Sequence, residues 1–455
     1  MKTAIAWAAA ISVGLAALLA PALWNGFALV FFDTGGYIVR AMDLSLAPGR
    51  SLFYGLFLWA FSGGWQWFWG PVLAQALLTL WAVRLLLRCH GLPAGPAATA
   101  LAGLGLSLFT GISWYASQLM PDGLAALLVL ALWLLGFRWQ ALSWGECAGL
   151  GFVALLGLLS HMSCMALALG LLAVTALARW RTPAVRPEPV EGLAQRGGRL
   201  SATLAPPALV VAASLLLMPL LHLALVGKAG YTPGGPAFVF GRLVQDGIAQ
   251  RWLAEHCPAP GIQLCDLQDR LPHSADDFLW GNASPFHALG GWGRADAELG
   301  YLNKACLQAY PAELAWTALR AAAQQLAKVA TGDGLDEYQP DAERVFTQLL
   351  PQAAENYRAA RQQHQQIAQP LFDALNSAHV PVAYLSMLGL PLVVAWGWRN
   401  GRHDLAGLAL FVALALLGNA FICGALSNPH DRYQSRLVWI ATLVVGMAAA
   451  SRRQT

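Results

Sequence analysis

Residues 203–226 run for 24 positions without a single Asp, Glu, Lys or Arg. About 20 such residues suffice to cross the hydrocarbon of a bilayer as a helix. Comparable apolar runs occupy 4–31, 66–87, 94–112, 122–137, 380–397, 404–425 and 436–450. A water-soluble core cannot take up that many. Of 455 residues, 57% are hydrophobic and 11% charged, against roughly 25% charged in soluble domains. A soluble enzyme, a disordered chain and a small disulfide scaffold are all excluded. The net charge of +4 is small and mostly sided, so it does not point to nucleic acid.

The stretch 145–178 is too long for one span and is interrupted at Ser160-His161-Met162-Ser163. Divided into 145–160 and 163–178, it gives ten spans with both termini on one side. That side then holds Lys2, Arg84, Arg88, Arg138, Arg179, Arg181, Arg186, Arg196, Arg199, Arg399, Arg402, Arg452 and Arg453, whereas the short loops opposite hold Arg40, Arg50, Arg432 and Arg436. By the positive-inside rule the first set is cytoplasmic. The expected fold class is an all-α polytopic membrane protein of about ten transmembrane helices with a mainly helical extracytoplasmic domain. The N-terminal apolar run is too long for a signal-peptide core and reads as a retained first span, although Ala-rich 16–20 resembles a weak cleavage site.

This organises the chain as an N-terminal transmembrane module 1–178 with an outer loop at 32–65, a cytoplasmic linker 179–201, a helix 202–226, an extracytoplasmic domain 227–378 and C-terminal spans 379–455. The linker is rich in Arg, Pro and Gly and has no periodicity. The outer domain opens on loop chemistry, Gly230-Tyr231-Thr232-Pro233-Gly234-Gly235-Pro236, and becomes helical in pattern over 310–368. Cys257 and Cys265, eight apart across Pro-Ala-Pro-Gly, can close a bridge in an oxidising compartment; free thiols are the alternative. No cysteine or histidine spacing matches a metal or redox motif.

With charge so sparse, acids and bases beside the spans are informative, because a charge at mid-membrane costs at least about 2.5–3.5 kcal/mol. Asp33 follows the first span in Phe31-Phe32-Asp33-Thr34-Gly35-Gly36-Tyr37, where the glycine pair is expected to end the helix. A carboxylate fixed at that boundary among aromatic rings can take a proton from an attacking hydroxyl; a simple helix stop is the other reading. The loop continues with Asp43 and Pro48-Gly49-Arg50-Ser51-Leu52-Phe53-Tyr54, followed by Trp59, Trp65, Trp67 and Trp69. That pattern suits an interfacial helix in an aromatic belt, with Arg50 at the level of lipid phosphates.

Three further sites fall in the same layer. Pro121-Asp122 opens a span, with Asp122 on the positive end of its helix, and capping alone would account for it. His161 sits between the paired short spans, able to bind phosphate, shuttle a proton or cap a helix hairpin. The last outer loop, Ser427 to Arg436, carries His430, Arg432 and Tyr433, and its arginines run against the positive-inside trend. They suggest an anionic partner.

Together these elements resemble the multi-span GT-C glycosyltransferases, particularly the bacterial branch related to protein mannosyltransferases and the lipid A aminoarabinose transferase. The likeness rests on Asp33 with Arg50-Ser51-Leu52-Phe53-Tyr54, on Pro121-Asp122, and on Arg432-Tyr433 before the last span, and it covers 1–180 and 380–450. Where many relatives carry Lys-Gly-Pro, this chain has Ser160-His161-Met162. The resemblance implies an inverting transferase using a polyprenyl-phosphate-linked sugar on the outer face of the bacterial cytoplasmic membrane, with a glycan, lipid or protein acceptor. It assigns Asp33 as general base and Arg50, His161 and Arg432 as ligands of the donor phosphate. Tyr37, Asp43, Tyr54, Asp122, His430 and Tyr433 become candidate substrate contacts. No cofactor is required, although Asp43 and Asp122 could hold a divalent cation. A transporter or flippase, an O-antigen ligase or polymerase, and a non-catalytic envelope assembly subunit are the competing readings.

Overall fold

The computed structural model describes residues 2–181, 203–231 and 234–452; the linker expected at 179–201 lies almost wholly outside them. The described chain forms 22 α-helices and no strand, apart from isolated bridges such as Leu29 with Gln118. Six helices are long and apolar enough to cross a membrane: Trp69–Cys89, the helix over Met162–Trp180, Ala205–Val226, Gln369–Arg399, His403–Leu426 and Asp431–Arg452. The other four expected spans fall on the shorter apolar helices over Thr3–Leu18, Pro96–Phe109, Asp122–Phe137 and Trp144–Ser160. The break at His161 is real: Trp144–Ser160 ends there and the next helix starts at Met162.

Local chemistry explains the boundaries. Ser143 and Glu146 form a reciprocal capping box at the start of Trp144–Ser160, satisfying two orphan N–H groups. Ser51 caps Leu52–Phe61 by accepting from the N–H groups of Phe53 and Tyr54, and it donates to the carbonyl of Leu159 at 2.6 Å. That short helix leaves Trp59 and Phe61 exposed, as an interfacial helix should.

The first apolar run departs from expectation. Its helices end at Asn25, where Gly26 takes a left-handed φ of +84°, and 26–33 continue without helix. Gly35 and Gly36 therefore do not end a span. They lie in the first turn of Thr34–Asp43, where a Cβ would come within 2.6 Å of the Asp341 carbonyl oxygen at Gly35 and within 2.6 Å of the Arg50 side chain at Gly36. Close approach, not a turn, requires glycine here.

The stretch 227–378, expected as one domain, divides its apolar side chains between two cores. Phe240, Leu253, Phe278, Phe286, Leu299 and Cys306 form a small core of their own, to which the Cys257–Cys265 disulfide belongs. Val329, Leu335, Phe346, Tyr357 and Phe372 instead join the main core with the apolar helices.

Charge is segregated along the bundle. At one end Asp404 receives Arg138 at 2.9 Å and both Nε and Nη2 of Arg402, while Arg88 grips Glu146 at 2.7 Å. Helix Asp122–Phe137 runs from the opposite end, where its first residue, Asp122, meets the groups described next.

Candidate functional site

Asp33 stands on a loop whose backbone is pinned from several sides. The N–H of Leu29 donates to Ser117 O and its carbonyl accepts from Leu119 N, both at 2.9 Å. The Gln362 side chain accepts from Val30 N and donates to Val30 O. The Thr34 hydroxyl accepts from Phe31 N and donates to Leu119 O. Thus the Asp33 loop and the Pro121-Asp122 turn are tied together, although they are distant in sequence.

The Asp33 carboxylate pairs with Arg50 at 2.7 Å, with both side chains about one-fifth exposed. Arg50 also lies 4.8 Å from the centre of the Trp280 ring. Trp280 belongs to an aromatic group with Trp292 and Phe238 beside the small core, so that region roofs Arg50.

A second charged group lies deeper. Arg436 is fully buried and bonds Asp122 at 2.9 Å, His161 Nε2 at 2.8 Å and the Ser163 hydroxyl at 3.0 Å. The helix cap at Asp122 is not made by its side chain, which is committed to Arg436. His161 caps the helix hairpin: its Nδ1 accepts from Ser163 N at 3.3 Å and lies 2.9 Å from Ser163 Oγ at the start of the next helix, while its Nε2 lies 2.8 Å from Arg436.

Two cavities flank these groups. A groove partly open to solvent is lined mainly by apolar side chains such as Leu52, Phe53, Leu158, Met218 and Leu221, with Arg50 and His161 among them. A smaller, tight cavity is lined by Phe31, Trp114, Tyr115, Gln118, Asp122, Asp333 and Arg432. The chain His161–Arg436–Asp122 runs from one to the other. Arg432 packs on the rings of Phe31 and Tyr433 and donates to the Tyr433 hydroxyl at 3.1 Å, while its Nη1 is buried without a partner.

His430 sits between Asp276 at 3.3 Å and Asp333 at 3.6 Å. Its contacts with these carboxylates, Asp276 foremost, push its pKa up from 6.5 to about 9 against the effect of burial. Asp276, in turn, is held below the usual carboxylate range chiefly by His430. The result is a charged clasp between the small outer core and the loop before the last helix.

The expected residues are therefore gathered only in part. Asp33 and Arg50 are paired, and Arg50 and His161 share the groove, but Arg432 lines the other cavity. Asp122 and Tyr433 lie with Arg432. Asp43 does not join the site: it pairs with Arg40 at 3.1 Å on an exposed helix end. Tyr54 is fully buried with its hydroxyl spent on Gln75 at 2.8 Å, which removes it as a direct substrate contact. Tyr37 is buried against it, ring centres 5.1 Å apart. Arg436 was expected, with Arg432, to meet an anionic partner, and it meets Asp122; its place in the site, Asp333 and Trp280 were not foreseen. Arg436 had a signal, since an arginine opening an apolar span must face the protein interior and find a partner; the other two are brought in by tertiary packing alone.

The chain matches no family model, no curated protein and no solved structure. Among the described residues, no three or more His, Cys, Asp or Glu side chains are gathered so as to hold a metal ion.

Proposed function

We propose that the chain is an inverting glycosyltransferase that moves a sugar from a polyprenyl-phosphate donor to an envelope glycan, lipid or protein on the outer face of the cytoplasmic membrane. The observation that carries this reading is the pairing of an apolar groove, with Arg50 and His161 on its wall, and a small polar aromatic cavity. A lipid tail suits the groove, its phosphate suits Arg50, and hydroxyl-bearing groups suit a cavity offering Asp122, Asp333 and aromatic faces. Asp33 lines neither cavity but is bonded to Arg50, and a donor phosphate held by Arg50 would lie beside it. In the reaction the acceptor hydroxyl gives its proton to Asp33 as its oxygen bonds the anomeric carbon. The bond from that carbon to the phosphate oxygen breaks, and the electron pair leaves with the polyprenyl phosphate. Arg50 offsets the charge that develops there. Because Arg50 holds Asp33 before any phosphate arrives, the donor competes for that guanidinium and releases the carboxylate for its role as base.

The test compares envelope glycans and lipid-linked sugars by mass spectrometry in a deletion strain complemented with wild type, Asp33→Asn, or the charge swap Asp33→Arg/Arg50→Asp. Loss of the same sugar in deletion, Asp33→Asn and swap strains supports transfer, because the swap keeps an ion pair but moves the base. Full restoration by the swap makes the pair structural and ends the transferase reading.

A further inference from the structure

The helix Pro311–Ala327 belongs to the stretch that a polar composition assigns to water, yet its outward face is largely apolar. Ala312, Ala315, Trp316, Leu319 and Ala323 are exposed at helical spacing, with Arg320 and Gln324 exposed along one edge of the face; Trp316 is exposed by 67% and Leu319 by 60%. Its other face packs along the apolar helix His403–Leu426 so closely that a Cβ at Gly424 would fall 2.6 Å from the Ala321 carbonyl oxygen. Leu417 and Phe421 of that helix are exposed as well, within two turns of the contact.

Depth follows from helix geometry. The carbonyl of Ala327 accepts from the Tyr384 hydroxyl at 2.6 Å. Tyr384 lies only about 22 Å along its helix from the terminal Arg399, at 1.5 Å per residue, while bilayer hydrocarbon is about 30 Å thick. Gly424 lies about 31 Å along its helix from His403 by the same measure. With Arg399 and His403 at one boundary, Ala321 is level with the other boundary and Ala327 lies below it.

Irregular backbone at such a depth has to be enclosed in protein with its polar groups satisfied; Lys328 is exposed and pairs with Asp431 at 3.6 Å, and 329–335 meet both demands. Val329, Thr331 and Leu335 are buried. The N–H of Ala330 donates to Asp431 at 2.8 Å, and Asn376 both accepts from Thr331 N and donates to Thr331 O. The Thr331 hydroxyl is paired with His379 at 2.9 Å.

We propose that residues 311–335 form a re-entrant segment. The helix Pro311–Ala327 descends into the leaflet at the Asp33 end of the bundle, holds Trp316 and Leu319 at headgroup level, presents Ala323 to the lipid tails, and the chain returns through 329–335 under cover of the bundle. Asp333 and the small cavity then lie at headgroup level instead of in an aqueous domain above it.

The test places nitroxide labels on full-length protein in lipid bilayers at Leu319→Cys and Ala323→Cys, in a Cys147→Ser background. Leu388→Cys serves as the lipid-facing reference and Lys304→Cys as the aqueous one. We expect oxygen to outcompete a water-soluble nickel chelate as a relaxer at both positions, with a ratio above that of Lys304→Cys, larger at Ala323→Cys than at Leu319→Cys, and below that of the mid-membrane Leu388→Cys. A ratio equal to that of Lys304→Cys overturns the proposal, and so does low access to both relaxers, which would mean protein covers the face. Brominated lipids should also quench wild-type emission more than that of Trp316→Phe; equal quenching counts against insertion.

Discussion

The two charged ends of the bundle use the same chemistry to different effect. At one end Asp404 is buried between Arg138 and Arg402, and Arg402 also bonds the His90 carbonyl and the Ser451 hydroxyl. Neither of the two cavities described above reaches this group. At the other end Arg50, paired with Asp33, and His161 line the groove, Asp122 lines the small cavity, and Arg436 links His161 to Asp122. A buried ion pair is by itself weak evidence of function, since desolvation offsets much of its attraction. Empty space beside such a pair is the feature that distinguishes a site from a clamp.

The sharpest separation comes from Asp33→Asn. Transfer should fall by about 10²–10⁴-fold, the usual range for a lost general base, while thermal unfolding in detergent shifts by no more than about 1 kcal/mol because the pair is partly solvated. A large loss of stability instead would move Asp33 into the same class as Asp404.

Asp404→Ala should behave in the opposite way. It leaves two guanidinium groups uncompensated and is expected to cost about 3–5 kcal/mol, read as a lower unfolding temperature and yield. Specific activity per folded molecule should be retained. Arg436→Met tests the middle case, since it strands buried Asp122 and should destabilise by a similar amount. The double variant Asp122→Asn/Arg436→Met should recover most of that stability without recovering transfer; recovery of both would reduce the Arg436 group to a clamp.

The smallest effect belongs to the His430 clasp. Its pKa is raised from 6.5 to about 9 in the folded protein, so its contribution is complete below about pH 6.5 and is lost as pH rises through about 9. Hydrogen exchange across 275–289 should quicken over that interval in wild type and show no such step in His430→Gln.

Much of this was legible in the sequence, and for identifiable reasons. Uncharged runs such as 203–226 can only be membrane-crossing or deeply buried helices, and the paired helices around His161 follow from a run too long for one span and too short for two without a sharp break. The Cys257–Cys265 link was legible as a short turn able to close. Asp33 and Arg50 stood out because charge was otherwise so scarce.

Other features depended on partners far away in the chain. Asp122 carries an ordinary helix-start signal, and only the arrival of Arg436 from 314 residues away turns it into part of a charged group. Gly35 and Gly36 carry the signal of a turn, yet the crowding by Asp341 and Arg50 that requires them is invisible locally. Tyr54 looked available until Gln75 claimed its hydroxyl, and Asp43 until Arg40 held it outside the site. Local composition determined which segments leave water and where charge is tolerated, because transfer free energy is nearly additive along a chain. Which charges meet, and whether space is left beside them, was decided by helix packing, because pairing depends on distances that only the assembled bundle sets.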